Sequence, residues 1–132
     1  MSQRIALVLE DNQECRTLLT ELLAEKQLQV KAFSGPDSYL VTRLDKECQL
    51  SCPFDGFTMT DNDLPGMSGL EFLEKLEAGG CKLPVDRKAI ISGNWSAEER
   101  MRVRLLGCRV FSKPHKIAEI YQWGDKGPAE KV

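Results

Sequence analysis

The chain has 132 residues, 42% of them hydrophobic and 29% charged, which describes one globular domain of ordinary size and excludes a disordered or fibrous protein. Its 18 basic and 20 acidic residues leave a net charge of −2, which argues against a nucleic-acid backbone as a direct partner. The longest apolar run, Ile5 to Leu9, falls far short of the ~20 residues a membrane span needs, so no membrane insertion and a cytoplasmic location are expected.

Arg4 to Leu9 is a short apolar run that reads as a strand buried on both faces, and it ends in Glu10-Asp11. From Asn12 to about Lys26, Cys15, Leu18, Leu19, Leu22 and Leu23 recur at helical spacing and predict the first helix. Leu28 to Phe33 alternates as a half-exposed strand does. Ser34-Gly35-Pro36 then opens a second helix running to about Leu44, and Asp45 to Gly56 reads as a loop. Phe57 to Thr60 is a third strand with Asp61 at its end, followed by the loop Asn62-Asp63-Leu64-Pro65-Gly66. Ser68 with Glu71 forms a capping box that starts a third helix, and Gly79-Gly80 stops it. Lys88 to Ile91 is a fourth strand ending in Ser92-Gly93. Ser96 with Glu99 repeats the capping box for a fourth helix, on which Ala97, Met101 and Leu105 share one face, and Gly107 ends it. Cys108 to Phe111 is a fifth strand closed by Ser112-Lys113-Pro114. A short last helix reaches about Trp123, and residues 124–132 are expected to form a flexible tail behind a domain spanning 1–123.

Strands and helices alternate, which predicts an α/β domain with a parallel sheet and helices on both faces. In such sheets, ligands bind beyond the carboxyl ends of the strands, near the point where strand order reverses. Four of the five strands end there in a chemically able residue: Glu10 and Asp11, Asp61, Ser92 and Lys113. Carboxylates crowded into a cleft either take up protons or gather a cation, and oxygen ligands suit Mg2+. Lys113 and Ser92 add donors for an anion, of which phosphate is the obvious candidate.

Five cysteines, Cys15, Cys48, Cys52, Cys81 and Cys108, form an odd and scattered set that fits a reducing compartment. Cys48 and Cys52 lack a second cysteine pair, and His115 is the sole histidine, so ordinary thiols are favoured over a metal site. Arg100, Arg102, Arg104 and Arg109 read as a solvated face rather than a docking patch, and Trp95 and Trp123 as packing residues or partner anchors.

These motifs resemble the receiver (CheY-like) domain of two-component response regulators, of the single-domain type. The resemblance lies in the acidic pair Glu10-Asp11, Asp-x-x-Leu-Pro-Gly-Met-x-Gly from Asp61 to Gly69, Ser92-Gly93 and Lys113-Pro114, and covers the chain from about Arg4 to Trp123. It implies a doubly wound five-stranded sheet in the flavodoxin-like order 2-1-3-4-5. It also implies a phosphoryl-accepting switch in which Asp61 takes the group from a histidine kinase or histidine phosphotransfer protein. Mg2+ would sit on Glu10, Asp11, Asp61 and the backbone carbonyl of Asp63. Lys113 would pair with a phosphoryl oxygen and Ser92 would swing toward another, while Gly93 leaves space beside the acceptor. A downstream protein target would read the fourth helix, fifth strand and fifth helix.

The sequence departs from the family at Val110, where an aromatic residue is usual, with Phe111 one place later; Asp63 and Asn94 flank the acceptor and would tune the loss of the phosphoryl group. Two rival readings remain open. Asp61-Asn62-Asp63 also fits the nucleophile and acid of a haloacid-dehalogenase-like phosphatase, although that family places its acidic pair after the lysine. A pseudo-receiver that docks partners without phosphorylation is the other.

Overall fold

The computed structural model describes residues 5–35, 57–78, 85–113 and 117–124. The predicted second helix, the loop that follows it, Cys48, Cys52, Cys81, Gly79-Gly80, Pro114, His115 and the tail beyond Gly124 lie outside the described residues. The elements are β1 (Ile5–Leu9), α1 (Gln13–Ala24), β2 (Gln29–Phe33), β3 (Phe57–Asp61), α2 (Gly69–Ala78), β4 (Lys88–Ser92), α3 (Ala97–Leu106), β5 (Arg109–Ser112) and α4 (Ile117–Trp123). The fourth and fifth helices of the sequence analysis are thus α3 and α4.

All four strand pairings are parallel, in the order β2-β1-β3-β4-β5. The expected α/β sheet and strand order are therefore present. Side chains alternate across the sheet, so each strand supplies two cores. Ala6, Val8, Phe57, Met59, Ala89, Ile91 and Phe111 face Leu19 and Leu23 of α1 and Ile120 and Trp123 of α4. Leu7, Leu9 and Ile90 face the other way, toward Leu70, Phe72, Leu73 and Leu76 of α2 and Val103 of α3. Trp123 fixes α4: its ring meets Phe57 and Phe111 edge-on with centroids 4.7 and 5.9 Å away, and its indole N–H donates to the Asp86 carbonyl at 2.9 Å.

The local start signals hold. In both capping boxes the hydroxyl accepts from the glutamate N–H and the glutamate accepts from the serine N–H, each at 3.1 Å, at Ser68/Glu71 and at Ser96/Glu99. Gly107 closes α3 in the left-handed region, φ 83°, where a side chain is strained.

The apolar face named on α3 is an exposed one. The stripe of Ala97, Met101 and Leu105 points outward, with Leu105 81% exposed, and α3 packs instead through Val103 with Leu106 half-buried beside it. Residues 103 and 106 are the pair directed at the sheet; helical spacing shows which residues share a face and not which face is buried. Phe111 also lies on the opposite side of β5 from Val110, which is 39% exposed, so it cannot stand in for an aromatic at position 110.

Gly69 begins α2 directly against β3. A Cβ there would lie 2.3 Å from the Asp61 carbonyl oxygen and 2.8 Å from Thr60 Oγ1, closer than atoms can approach. Gly69→Ala is therefore expected to lower unfolding stability by about 1–3 kcal/mol, the usual cost of overpacking, measured by urea denaturation. A variant as stable as the wild type would show that α2 can step away from Asp61 freely.

Candidate functional site

The reversal of strand order falls between β1 and β3, and the functional side chains converge beyond the ends of these strands. Ladder hydrogen bonds continue one residue past the sheet. The Glu10 N–H donates to Phe33, the Asn62 N–H to Ile91 and the Lys113 N–H to Ser92, at 3.0, 2.9 and 3.2 Å. The backbone thus fixes these strand-end positions before any side chain acts.

Asp61 is 3% exposed, and both carboxylate oxygens are held. Oδ1 accepts the Asp63 N–H at 2.9 Å, and Oδ2 accepts Lys113 Nζ at 2.9 Å. Lys113 also lies 3.6 Å from the exposed Asp63 carboxylate. Burial works against the Lys113 charge, but the hydrogen bond and charge of Asp61, with Asp63 and Glu10 behind it, outweigh burial and hold the ammonium above its ordinary range. Gly93 gives room to this lysine: a Cβ there would meet Lys113 Cβ at 3.2 Å. The side of Gly93 on which a Cβ would stand thus faces the lysine stem.

Glu10, Asp11 and Asp61 each bring one carboxylate oxygen within 4.8 Å of the others. Glu10 is 2% exposed. Its Oε2 accepts the Asn12 N–H at 3.1 Å, while Oε1 is buried with no hydrogen-bond partner among the described residues. Burial raises the Glu10 carboxyl from 4.5 to about 7, with the Asn12 hydrogen bond opposing and the Asp61 carboxylate adding to the rise. An orphaned acceptor among crowded carboxylates fits a hard divalent cation with oxygen preference, so the donor set suits Mg2+.

Ser92, 1% exposed, sits at the same edge, next to Ile91, which pairs with Asp61. Its hydroxyl is engaged in the turn that leaves β4, donating to the Asn94 carbonyl and accepting the Asn94 N–H, both at 3.2 Å. Every site residue predicted from sequence thus lies at this edge.

Three contributors escaped the sequence analysis. Asn12 caps α1 by accepting the Cys15 N–H at 2.9 Å while its own N–H serves Glu10. Its position just before the first helix, in a residue type that favours caps, was a usable signal. Arg16 Nη1 donates to the Glu10 carbonyl at 2.7 Å, one turn into α1. Asn62 is 3% exposed, and its amide bonds to both Leu70 and Glu99; nothing in the sequence marks such a buried polar junction.

Cys15 and Cys108 are free. Burial pushes both thiols up, Cys108 to about 11, so neither is a ready nucleophile. Arg102 is bound to Glu74 of α2, with Nε–Oε2 at 3.1 Å, whereas Arg100, Arg104 and Arg109 are exposed. Trp95 is half-buried against the core on the α2 and α3 side. No helix among the described residues is long and apolar enough to cross a membrane.

No family model and no curated protein matches the chain by sequence. Solved structures do resemble it. A chemotaxis protein of Vibrio cholerae, CheY4, superposes with a TM-score of 0.70 at 16% identity, covering 92% of this chain and 95% of that one. The fold is that of response-regulator receivers. A CheY-like receiver domain protein of Methanospirillum hungatei gives a TM-score of 0.73 at 19% identity over 92% and 90% of the two chains. FixJ-N gives 0.69 at 20% over 99% and 100%.

The tighter hold of the buried Glu10 carboxyl on its proton has a consequence for stability. Glu10 titrates near 7 when folded and near 4.5 otherwise, so the metal-free fold binds its proton more tightly and loses stability as pH rises from about 4.5 to about 7. Melting temperatures in chelator are expected to fall between about pH 5 and about pH 7.5 more steeply for wild type than for Glu10→Gln, and Mg2+ is expected to restore the wild type at the upper end. Parallel pH profiles for the two proteins would show that Glu10 is not desolvated.

Proposed function

We propose that residues 1–123 are a phosphoryl-accepting signalling switch, acting in the cytoplasm, and that Asp61 is the acceptor. The supporting observation is the joint geometry at one sheet edge: three carboxylate oxygens within 4.8 Å of one another, and a lysine ammonium 2.9 Å from Asp61 Oδ2. The receiver fold of the similar structures supports the same reading.

In this reading an Asp61 oxygen attacks the phosphorus of a phosphohistidine. The P–N bond breaks, its electron pair passes to the imidazole, and an acyl phosphate remains on the protein. The two hydrogen bonds on Asp61 orient its carboxylate for attack. Lys113, already paired with Asp61, transfers its pairing to a phosphoryl oxygen as negative charge accumulates there. Ser92 offers its hydroxyl to another after leaving Asn94. Glu10, Asp11 and Asp61, with the backbone carbonyl of Asp63, would hold Mg2+, which when bound neutralises charge on the transferring group.

The donor partner is a histidine kinase or a histidine phosphotransfer protein, and a downstream protein reads the result. The surface of α3, β5 and α4 suits that second role because it leaves Met101, Leu105, Val110 and Ile117 exposed.

The test is incubation with Mg2+ and a small phosphodonor such as phosphoramidate, followed by intact-mass measurement. One phosphoryl adduct is expected on the wild type, none on Asp61→Asn, and none on the wild type in chelator. Absence of the adduct, or sustained turnover of phosphate monoesters, would overturn the proposal.

A further inference from the structure

The residue after the acceptor ties two helices to it. Asn62 Oδ1 accepts the Leu70 N–H of α2 at 3.0 Å, and Nδ2 donates to Glu99 Oε2, in the first turn of α3, at 3.1 Å. Glu99 uses its other oxygen to accept the Ser96 N–H at 3.1 Å. A single carboxylate therefore closes the capping box of α3 and binds the neighbour of Asp61. Both bonds, that of the Ser96 backbone first and that of Asn62 second, hold Glu99 below the usual carboxylate range.

Between Ser92 and α3 runs the short loop Gly93 to Ser96. Its near end is tied by the Ser92 hydroxyl to Asn94, and its far end by Glu99 to Asn62. Trp95 lies between the ties and lines a cavity of about 320 Å3 together with Val103, Cys108 and Val110, leaving the loop room to rearrange. Ser92 and Asn62 both adjoin Asp61, one across the sheet and one along the chain. A buried amide satisfied on both sides is costly to disturb, so the Asn62 contact biases the arrangement in which it is made.

Resting on the acceptor reading above, we propose that the Asn62–Glu99 hydrogen bond is a latch. It holds the start of α3 and the Trp95 loop in the unphosphorylated arrangement, and it opens when Ser92 turns from Asn94 toward a phosphoryl group on Asp61. Asn62 is then a positioning residue that acts on α3 through Glu99. A bond made in one state only enters the equilibrium between states in full, so its removal shifts that equilibrium on the order of tenfold toward the open arrangement.

A polarity swap tests the latch. Asn62→Asp keeps an acceptor for Leu70 but sets a carboxylate against Glu99. Glu99→Gln keeps the capping box. In the double variant, the new amide at 99 donates to the new carboxylate at 62 and the bond is remade in reverse. The readouts are the amide resonances of Ser96 and Glu99 in the free proteins, and the affinity of each protein for beryllofluoride in Mg2+.

In the wild type, beryllofluoride is expected to move these resonances. In Asn62→Asp they are expected to lie displaced in the same direction before any is added, with beryllofluoride bound on the order of tenfold more tightly than by the double variant. The double variant keeps the added charge at position 62 and loses that of Glu99; the extra negative charge of the single variant by itself disfavours an anion, so charge alone predicts the opposite order of affinities, and the Ser96 resonance of the double variant is expected to return to its wild-type position. If Asn62→Asp does not fold, Asn62→Ser, too short to reach Glu99, takes its place in the comparison with the wild type.

Unmoved resonances in the single variant, or a double variant that behaves like it, overturn the latch. A wild type that answers neither beryllofluoride nor a phosphodonor overturns the acceptor reading beneath it, a result separate from a responsive wild type whose latch variants are indifferent.

Discussion

Crowding of negative charge around Asp61 is the constraint on which the rest of the molecule depends. At the 4.8 Å that bounds the three carboxylate oxygens, two unit charges repel by roughly 3.5 kcal/mol at an effective dielectric of about 20. No local segment would assemble such a group unaided. The sheet imposes it, because β1 and β3 are adjacent and parallel and both run out at the same edge. Relief comes from Lys113 on one side of Asp61 and from a proton or cation on the side of Glu10. The site is a place where positive charge is stabilised, and a transferring phosphoryl group with its counterion has the same requirement.

Holding that arrangement asks for rigidity, and the rigidity is local to Asp61. Gly69 lets the first residue of α2 lie against the Asp61 carbonyl, and Thr60 donates its hydroxyl to the same carbonyl at 3.0 Å. The Asn62 carbonyl accepts from Leu64 and Gly69, closing the loop behind Asp61. On the far side of the sheet, Trp123 wedges between Phe57 and Phe111, so that β3 and β5 are buttressed by one aromatic cluster.

Much of this was legible in the sequence because strand-end chemistry and helix starts are local signals. Glu10, Asp61 and Lys113 could be placed at one edge once alternation implied a parallel sheet, and Ser68/Glu71 and Ser96/Glu99 announced their helices through side chains only three residues apart. What escaped depended on distant partners. Asn62 and Glu99 are 37 positions apart, and neither residue type betrays burial. The neighbour for which Gly93 makes room, the stem of Lys113, likewise comes from another strand's end. The outward stripe of α3 was ambiguous because periodicity says that a face is apolar, not which way it points.

That stripe bears on the switch proposed for this fold. Five residues of α2 are buried, Gly69, Leu70, Phe72, Leu73 and Leu76, whereas α3 commits only Val103 fully to the core. Burial of one such side chain contributes about 1.5–3 kcal/mol, so α2 is anchored several times more firmly than α3. A hydrogen bond to a charged group contributes on the same scale, about 1.5–3 kcal/mol. In α2 a single bond of that size would vanish among the packing terms; in α3 it rivals them. The weakly packed helix is also the one whose N-terminus is joined to the residue following Asp61, and its Arg102 grips Glu74 of the firmly packed neighbour. A local change of a few kilocalories in the electrostatics around Asp61, such as the proposed phosphoryl transfer would bring, is on the scale that holds α3 and well below the scale that holds α2.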